Sequence, residues 1–163
     1  LTLGGVGTGT TISHVEIYAN KDDGIEFFGG AAMVTYAVVG ASGDDSFDYD
    51  EGWHGGGSYW FTYQVPDRGG RCGEHDGGTD PEDGQPYAKP TITNVTYVGN
   101  GSDKLITFRD NAGGYYSNSI FMNTAKGIDV ELLVDEEDSY NRFLNGDLAV
   151  TASMFHNVAG DVN

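Results

Sequence analysis

The segments Asp22-Asp23-Gly24-Ile25-Glu26-Phe27 and Asp44-Asp45-Ser46-Phe47-Asp48-Tyr49 repeat one arrangement at an offset of 22 residues. Each has two adjacent carboxylates, a small residue, an apolar residue and a third carboxylate. If the two segments lie on neighbouring strands about 4.8 Å apart, Asp22 stacks over Asp44, Asp23 over Asp45 and Glu26 over Asp48. Two charges at that separation repel by about 1 kcal/mol in water and by several times more in a partly buried turn. The carboxylates must then take up protons or share a cation. Carboxylate and turn-carbonyl oxygens are the hard ligands that Ca²⁺ takes, and Gly24 and Gly43 permit a tight backbone around an ion. The expected ligands are Asp22, Asp23, Glu26, Asp44, Asp45, Asp48 and Asp50, with Ca²⁺ as the expected cofactor. The alternative is that these Asp residues only form turns, bonding local backbone N–H groups. Turn formation alone does not call for Glu26, Asp48, Asp50 and Glu51 beside them.

Other candidates for ion chemistry are weaker. There is no EF-hand spacing and no Gly-Gly-x-Gly-x-Asp repeat. The run Asp135-Glu136-Glu137-Asp138 reads as a solvated loop, and the acidic stretch from Glu74 to Asp83 lies between the two cases. Among the four His, only His75 has a Cys at ligand spacing, Cys72, and no second pair accompanies them, so zinc is disfavoured. Aromatic residues offer a different chemistry, because flat rings match the apolar faces of sugars. Trp53, Tyr59, Trp60, Tyr115 and Tyr116 are the candidates for carbohydrate stacking. Strand alternation puts one of Tyr59 and Trp60, and one of Tyr115 and Tyr116, outside; the alternative is that such residues form core ladders or cover an open edge.

These residues need elements that bring them into register. At 163 residues the chain suits one domain, 1–163, with a core of its own. A net charge of -17 argues against nucleic acid and anionic membrane as partners and for divalent cations. Ten Tyr, eight Phe and two Trp argue against disorder. The single Cys72 excludes an internal disulfide, so an ion or repeat stacking must act as the staple, and a secreted, extracellular or bacterial outer-surface location supplies the Ca²⁺. No apolar run of membrane-spanning length occurs, and no membrane insertion is expected. The chain opens at Leu1-Thr2-Leu3 already in strand pattern, as a processed or excised sequence does.

Twenty-six Gly and short β-branched or aromatic alternations indicate an all-β chain with no helical periodicity. Residues Ile12 to Gly30 align on Met33 to Gly52, with Val15, Ile17 and Tyr18 over Tyr36, Val38 and Val39. Ile106-Thr107-Phe108 falls over Ile128-Asp129-Val130, and Ser119-Ile120-Phe121 over Ser153-Met154-Phe155 at a spacing widened to 34. Two strands per unit with an Asp-rich corner form one coil of a solenoid. The expected fold is a right-handed parallel β-helix with coils of about 22 residues, Ile25, Phe27, Phe47 and Tyr49 pointing inward and Glu26, Asp48 and Asp50 outward. An antiparallel sandwich does not account for an acidic corner repeated at constant offset. Residues 64–90 break the pattern, hold all four Pro and read as one long loop insertion.

Leu1-Thr2-Leu3-Gly4-Gly5-Val6-Gly7-Thr8-Gly9-Thr10-Thr11-Ile12, Asp22-Asp23-Gly24-Ile25-Glu26-Phe27-Phe28-Gly29-Gly30 and Gly43-Asp44-Asp45-Ser46-Phe47-Asp48-Tyr49-Asp50 resemble the repeats of secreted or surface bacterial parallel β-helix proteins of the pectin-lyase-like kind. The resemblance is strong over the first third and continues as pattern. It implies fold and export, and no particular activity. With no cap in evidence, the coils are expected to belong to a longer solenoid or to stack end to end between copies. The function expected is a calcium-binding structural or adhesive element, a surface, matrix or filament component. The alternative is a polysaccharide-acting lyase or hydrolase, or a carbohydrate-binding module, on the same scaffold. Few basic residues and a charge of -17 count against a lyase drawing in a polyanion.

Overall fold

The structure, a computed structural model, describes residues 1–78, 81, 83–134 and 136–159; Asp80, Glu82, Asp135 and Val162, which fall in segments named above, lie outside the described residues. In chain order the strands are β1 (Thr2–Gly4), β2 (Thr11–Tyr18), β3 (Ile25–Phe28), β4 (Met33–Gly40), β5 (Phe47–Asp50), β6 (Gly56–Tyr63), β7 (Gly73–Asp76), β8 (Thr91–Thr93), β9 (Thr96–Val98), β10 (Lys104–Arg109), β11 (Gly114–Ser117), β12 (Ile120–Thr124), β13 (Lys126–Val130), β14 (Leu148–Thr151) and β15 (Met154–Val158). One short helix, α1 (Ser139–Leu144), precedes β14.

Every strand pair is parallel. One sheet runs β1-β3-β5-β7-β10-β13. The other starts with the long strands β2, β4 and β6, then continues as two rows, β8-β11-β14 and β9-β12-β15. The chain alternates between the sheets once per coil, which is a parallel β-helix. The long strands bend where a residue takes a left-handed backbone: His14, Tyr36 and Tyr59 have φ of 55, 55 and 58°. In later coils the same corner separates two strands at Asn94, Asn118 and Ala152, with φ of 57, 51 and 48°. Asn tolerates this region better than most side chains, which suits it to a repeated corner.

The coil period is 22 residues from Ile25 to Phe47 and again from Ile106 to Ile128. The strand alignment drawn from the sequence is one residue off. Val15, Ile17 and Tyr18 pair with Ala37, Val39 and Gly40, not with Tyr36, Val38 and Val39, so β2 and β4 also repeat at 22. A slip of one residue exchanges the two faces of a strand. In the true register Val34, Ala37 and Val39 are fully buried, while Tyr36 and Val38 face out.

The insertion reading of residues 64–90 also needs correction. Gly73–Asp76 in its middle is β7, a full member of the first sheet, paired with both β5 and β10. Gly-Glu-His-Asp has neither β-branched nor aliphatic residues, so no propensity signal marks it. Its strand character comes from neighbours: His75 sits in register between Tyr49 and Phe108 and stacks on Tyr49 at 3.9 Å. At the end of the acidic run, Glu136 and Glu137 are exposed but Asp138 is not. Asp138 is buried and caps α1, accepting from Asn141 N at 2.7 Å and from Leu133 N at 2.7 Å, and Glu137 pairs with Arg142.

The inward positions form ladders. Ile25, Phe27, Phe47 and Tyr49 are buried as expected, with Phe27 on Trp53 at 4.0 Å and Phe47 on Trp60 at 4.4 Å. Each such pair adds about 0.5–1.5 kcal/mol to the burial of its area. The bore is not wholly apolar: His75 Nε2 meets Tyr116 Oη at 2.8 Å, and Tyr49 donates to Gly113 O at 2.6 Å. Burial lowers the His75 pKa to about 3, so its imidazole is neutral. Truncating the ladder at Phe47→Ala should cost about 3–5 kcal/mol. The exposed Val38→Ala should stay within about 1 kcal/mol. Midpoints of urea unfolding followed by Trp fluorescence check the difference.

Candidate functional site

The acidic corner joins the end of a second-sheet strand to the start of a first-sheet strand, at residues 19–24 in one coil and 41–46 in the next. Ala19 and Ala41 open it with φ of 54° each. The two turns are bonded directly: Gly43 N donates to Asp22 O at 3.1 Å and Gly24 N to Asp45 O at 2.9 Å. Contact is so close that a Cβ on Gly43 would lie 1.8 Å from Lys21 O, so any larger residue there would push the turns apart. Gly24 is confined in the same way, by Val39 and by Ser46 O. The glycines therefore set the spacing that brings carboxylates together.

Two groups of three carboxylates result, each able to offer oxygens within 4.8 Å of one another: Asp22, Asp23 and Asp44, and Asp23, Glu26 and Asp48. Asp23 belongs to both. Five of the seven expected ligands are thus gathered. Asp45 is a correction: Asp23 accepts the Asp45 backbone N–H at 2.9 Å, and the buried Asp45 carboxylate turns the other way, to the Arg71 N–H and to Arg71 Nη1 at 3.5 Å. Asp50 is a second correction; it lies opposite Phe28, accepts the Glu51 N–H and belongs to neither group.

The electrostatics are unfavourable for charge. Burial, with Glu26, Asp44 and Asp22 nearby, raises Asp23 to about 6 against the help of the Asp45 N–H. Burial first, then Asp23, Asp76, Glu74 and Asp45, raises Asp48 to about 9. Asp48 Oδ1 is buried with no hydrogen-bond partner. An oxygen in that condition is either protonated or waiting for a ligand. Arg68 reaches the corner but donates to the backbone carbonyls of Ala19, Asn20 and Ser42. The donor set, oxygens only and mostly carboxylate, fits Ca²⁺ and offers no nitrogen or sulfur to a softer metal.

One coil further on, the outward face of the first sheet solves the same problem differently. Arg109 lies 2.7 Å from Asp76 and 3.2 Å from Glu74, and Arg71 lies 2.6 Å from Glu74. Burial still raises Asp76 to about 6, although the Arg109 hydrogen bond opposes it. The sequence reading missed this cluster because it depends on β7. Once β7 is placed, Asp48 over Glu74 and Asp76 over Arg109 follow from the register.

The aromatic candidates divide. Trp53, Trp60 and Tyr116 are buried and cannot form a platform; Trp60 bonds Val34 O at 2.9 Å inside the bore. Tyr115 is half-buried and donates to Gly146 O, while Tyr59 is 51% exposed. Cys72 and His75 are both buried in the core.

The pH dependence follows from Asp23 and Asp48. Their folded pKa values exceed the usual 3.8, so their contribution is complete below that value and is lost as pH rises through about 6 and about 9. His75 acts in the opposite sense, but only below its unfolded value near 6.5. In chelator, the melting temperature should fall between about pH 7 and about pH 9.5, and Asp48→Asn should flatten that slope. Circular dichroism melts measure both.

A family model described as a pectate-lyase-like β-helix domain matches residues 1–163. No curated protein and no solved structure matches the sequence. The match spans every coil described above, and with parallel strands stacked in two sheets it makes the chain a member of the pectate-lyase-like β-helix domain family.

Proposed function

We propose that this β-helix is a cation-stapled structural or adhesive element of the cell exterior, holding Ca²⁺ at the corner formed by Asp22, Asp23, Glu26, Asp44 and Asp48. The observation that supports it most is Asp48 Oδ1, buried and unpartnered beside Asp23 and Glu26. Without an ion, the corner folds only by protonating carboxylates or by bearing their repulsion. With one, the same contacts tie two successive coils together, as a disulfide would in a chain with more than one Cys. A cation that binds the folded state alone stabilises it by about 2.7 kcal/mol at a hundred times its dissociation constant. For a domain of this size that is a rise of about 5–10 °C in melting temperature. Ca²⁺ added to chelated protein should produce it, and Asp23→Asn should abolish it. Equal melts with and without Ca²⁺ at neutral pH would refute the reading.

The Arg109 cluster favours a second reading, a polysaccharide-acting enzyme. Asp48, raised to about 9, carries a proton at neutral pH, and Arg109 holds the neighbouring Glu74 and Asp76 in place. Asp48 at about 9 and Asp76 at about 6 are both raised by burial but differ in acidity, as the acid and base of glycoside chemistry do. Incubation with neutral and acidic polysaccharides, followed by assay of reducing ends and unsaturated products, tests it. Turnover lost in Asp48→Asn and in Arg109→Ala would establish this reading, and no product from any substrate would remove it.

A further inference from the structure

Because each coil repeats the last in register, the outer side of the second sheet is built of columns that run along the solenoid axis. At the left-handed corner stand His14, Tyr36, Tyr59, Asn94, Asn118 and Ala152, one per coil. Two residues further along each strand stand Glu16, Val38, Phe61, Thr96, Ile120 and Met154, paired rung by rung. The corner column changes size halfway. Its first three members are rings, stacked at 4.5 and 4.9 Å, and its last three are short. Beside the short ones runs a groove of about 500 Å³, lined by Asn94, Asn118, Ile120, Ala152 and Met154 among others.

Tyr36, Val38, Tyr59, Phe61, Ile120 and Met154 are all exposed, Met154 to 62%. Glu16 is the one formally charged residue in the two columns, in a chain of net charge -17. Carboxylates crowd the opposite side instead, where Glu26, Asp48 and Glu74 pair in register on the first sheet. A contiguous apolar surface of this extent marks an interaction site. Six coils about 4.8 Å apart, with strands of eight residues rising about 3.3 Å each, give a face of roughly 700 Å² per copy. Two such faces bury about 1,400 Å² together, the size of a standard stable interface.

We propose that two copies of this chain pair side by side through this face, antiparallel, about a two-fold axis that lies in the interface along the strands. Such an axis sets the first coil of one copy on the sixth of the other and keeps each column over itself. Every ring then faces a short residue: His14 faces Ala152, Tyr36 faces Asn118 and Tyr59 faces Asn94 of the second copy. The rings enter the groove, where their phenols meet carboxamides that both donate and accept. Val38 meets Ile120 and Phe61 meets Thr96, while Glu16 and Met154 fall at the rim, where a charge stays hydrated. A parallel pair would set ring on ring, leave the groove empty and bring the two Asp22 to Asp48 corners side by side; the antiparallel pair holds those corners at opposite ends. Packed sheets lie about 10 Å apart, so the acidic first sheets of the two copies stay about 30 Å from each other, beyond the Debye length of about 8 Å at physiological salt. The pairing leaves both ends of the solenoid free and requires no ion at the acidic corner.

Sedimentation equilibrium of the full chain in chelator, from about 10 to about 500 µM, tests the proposal. A reversible dimer should form with a dissociation constant of about 1–100 µM, and it should tighten as NaCl rises from about 20 to about 300 mM. Phe61→Glu, which sets two carboxylates near the two-fold axis, should weaken it about tenfold or more. Asn118→Tyr, a side chain that this corner already carries in two coils, should weaken it about as much by filling the groove that Tyr36 enters, whereas unspecific apolar adhesion would tighten. Circular dichroism melts of both variants should match the parent. The proposal is overturned if the chain stays monomeric throughout, if Asn118→Tyr associates as tightly as the parent, or if the assemblies persist unchanged in Phe61→Glu, as end-to-end stacking would. Failure of the cation reading would appear in the melts with and without Ca²⁺, not here.

Discussion

Parallel, in-register stacking at one strand separation governs everything else in this molecule. Each residue meets its counterpart from the next coil at about 4.8 Å, so like is placed on like. Inside the bore this is favourable: Tyr49 over His75 and Tyr97 over Phe121 over Phe155 place ring next to ring in register. Outside, the same rule puts Glu26 beside Asp48 and brings Asp23 into both carboxylate groups. Core and corner are therefore two results of one geometry.

The chain meets its stacked acids in two ways. At Glu74 and Asp76 it provides its own counter-charge through Arg71 and Arg109. At the Asp22 to Asp48 corner the nearby Arg68 is engaged by backbone carbonyls, and Asp48 Oδ1 remains without a partner. The difference between an arginine in the register and one at its edge separates a self-neutralised patch from a corner whose carboxylates crowd one another. The glycines sharpen it, since Gly43 lets the turns approach closer than any side chain would permit.

The left-handed corner shows how a backbone demand becomes a surface. A positive φ recurs in six rungs, at His14, Tyr36, Tyr59, Asn94, Asn118 and Ala152. Left-handed geometry is cheapest for Asn, which occupies two of these places, and costs about 1 kcal/mol or more for a bulky residue. In the first three coils that cost is offset by ring stacking along the column. Where stacking stops, Asn takes over, and Asn94 and Asn118 line a polar groove.

The parallel β-helix was legible in the chain because hydrophobic alternation and a repeat of 22 residues need no tertiary information, and Asp22, Asp23, Glu26, Asp44 and Asp48 could be named from offset alone. Three things were decided only by the folded molecule. β7 became a strand because its backbone had partners on both sides, although Gly-Glu-His-Asp has no strand propensity. Asp45 left the acidic group because Arg71, 26 residues away, bonds it from another turn. Alternation left open which of Tyr59 and Trp60, and which of Tyr115 and Tyr116, faces out; the folded molecule exposes Tyr59, half-buries Tyr115 and buries Trp60, Tyr116 and Trp53. Composition and period thus set what kind of coil forms; which side chains meet depends on register and on long-range partners, which a linear pattern does not contain.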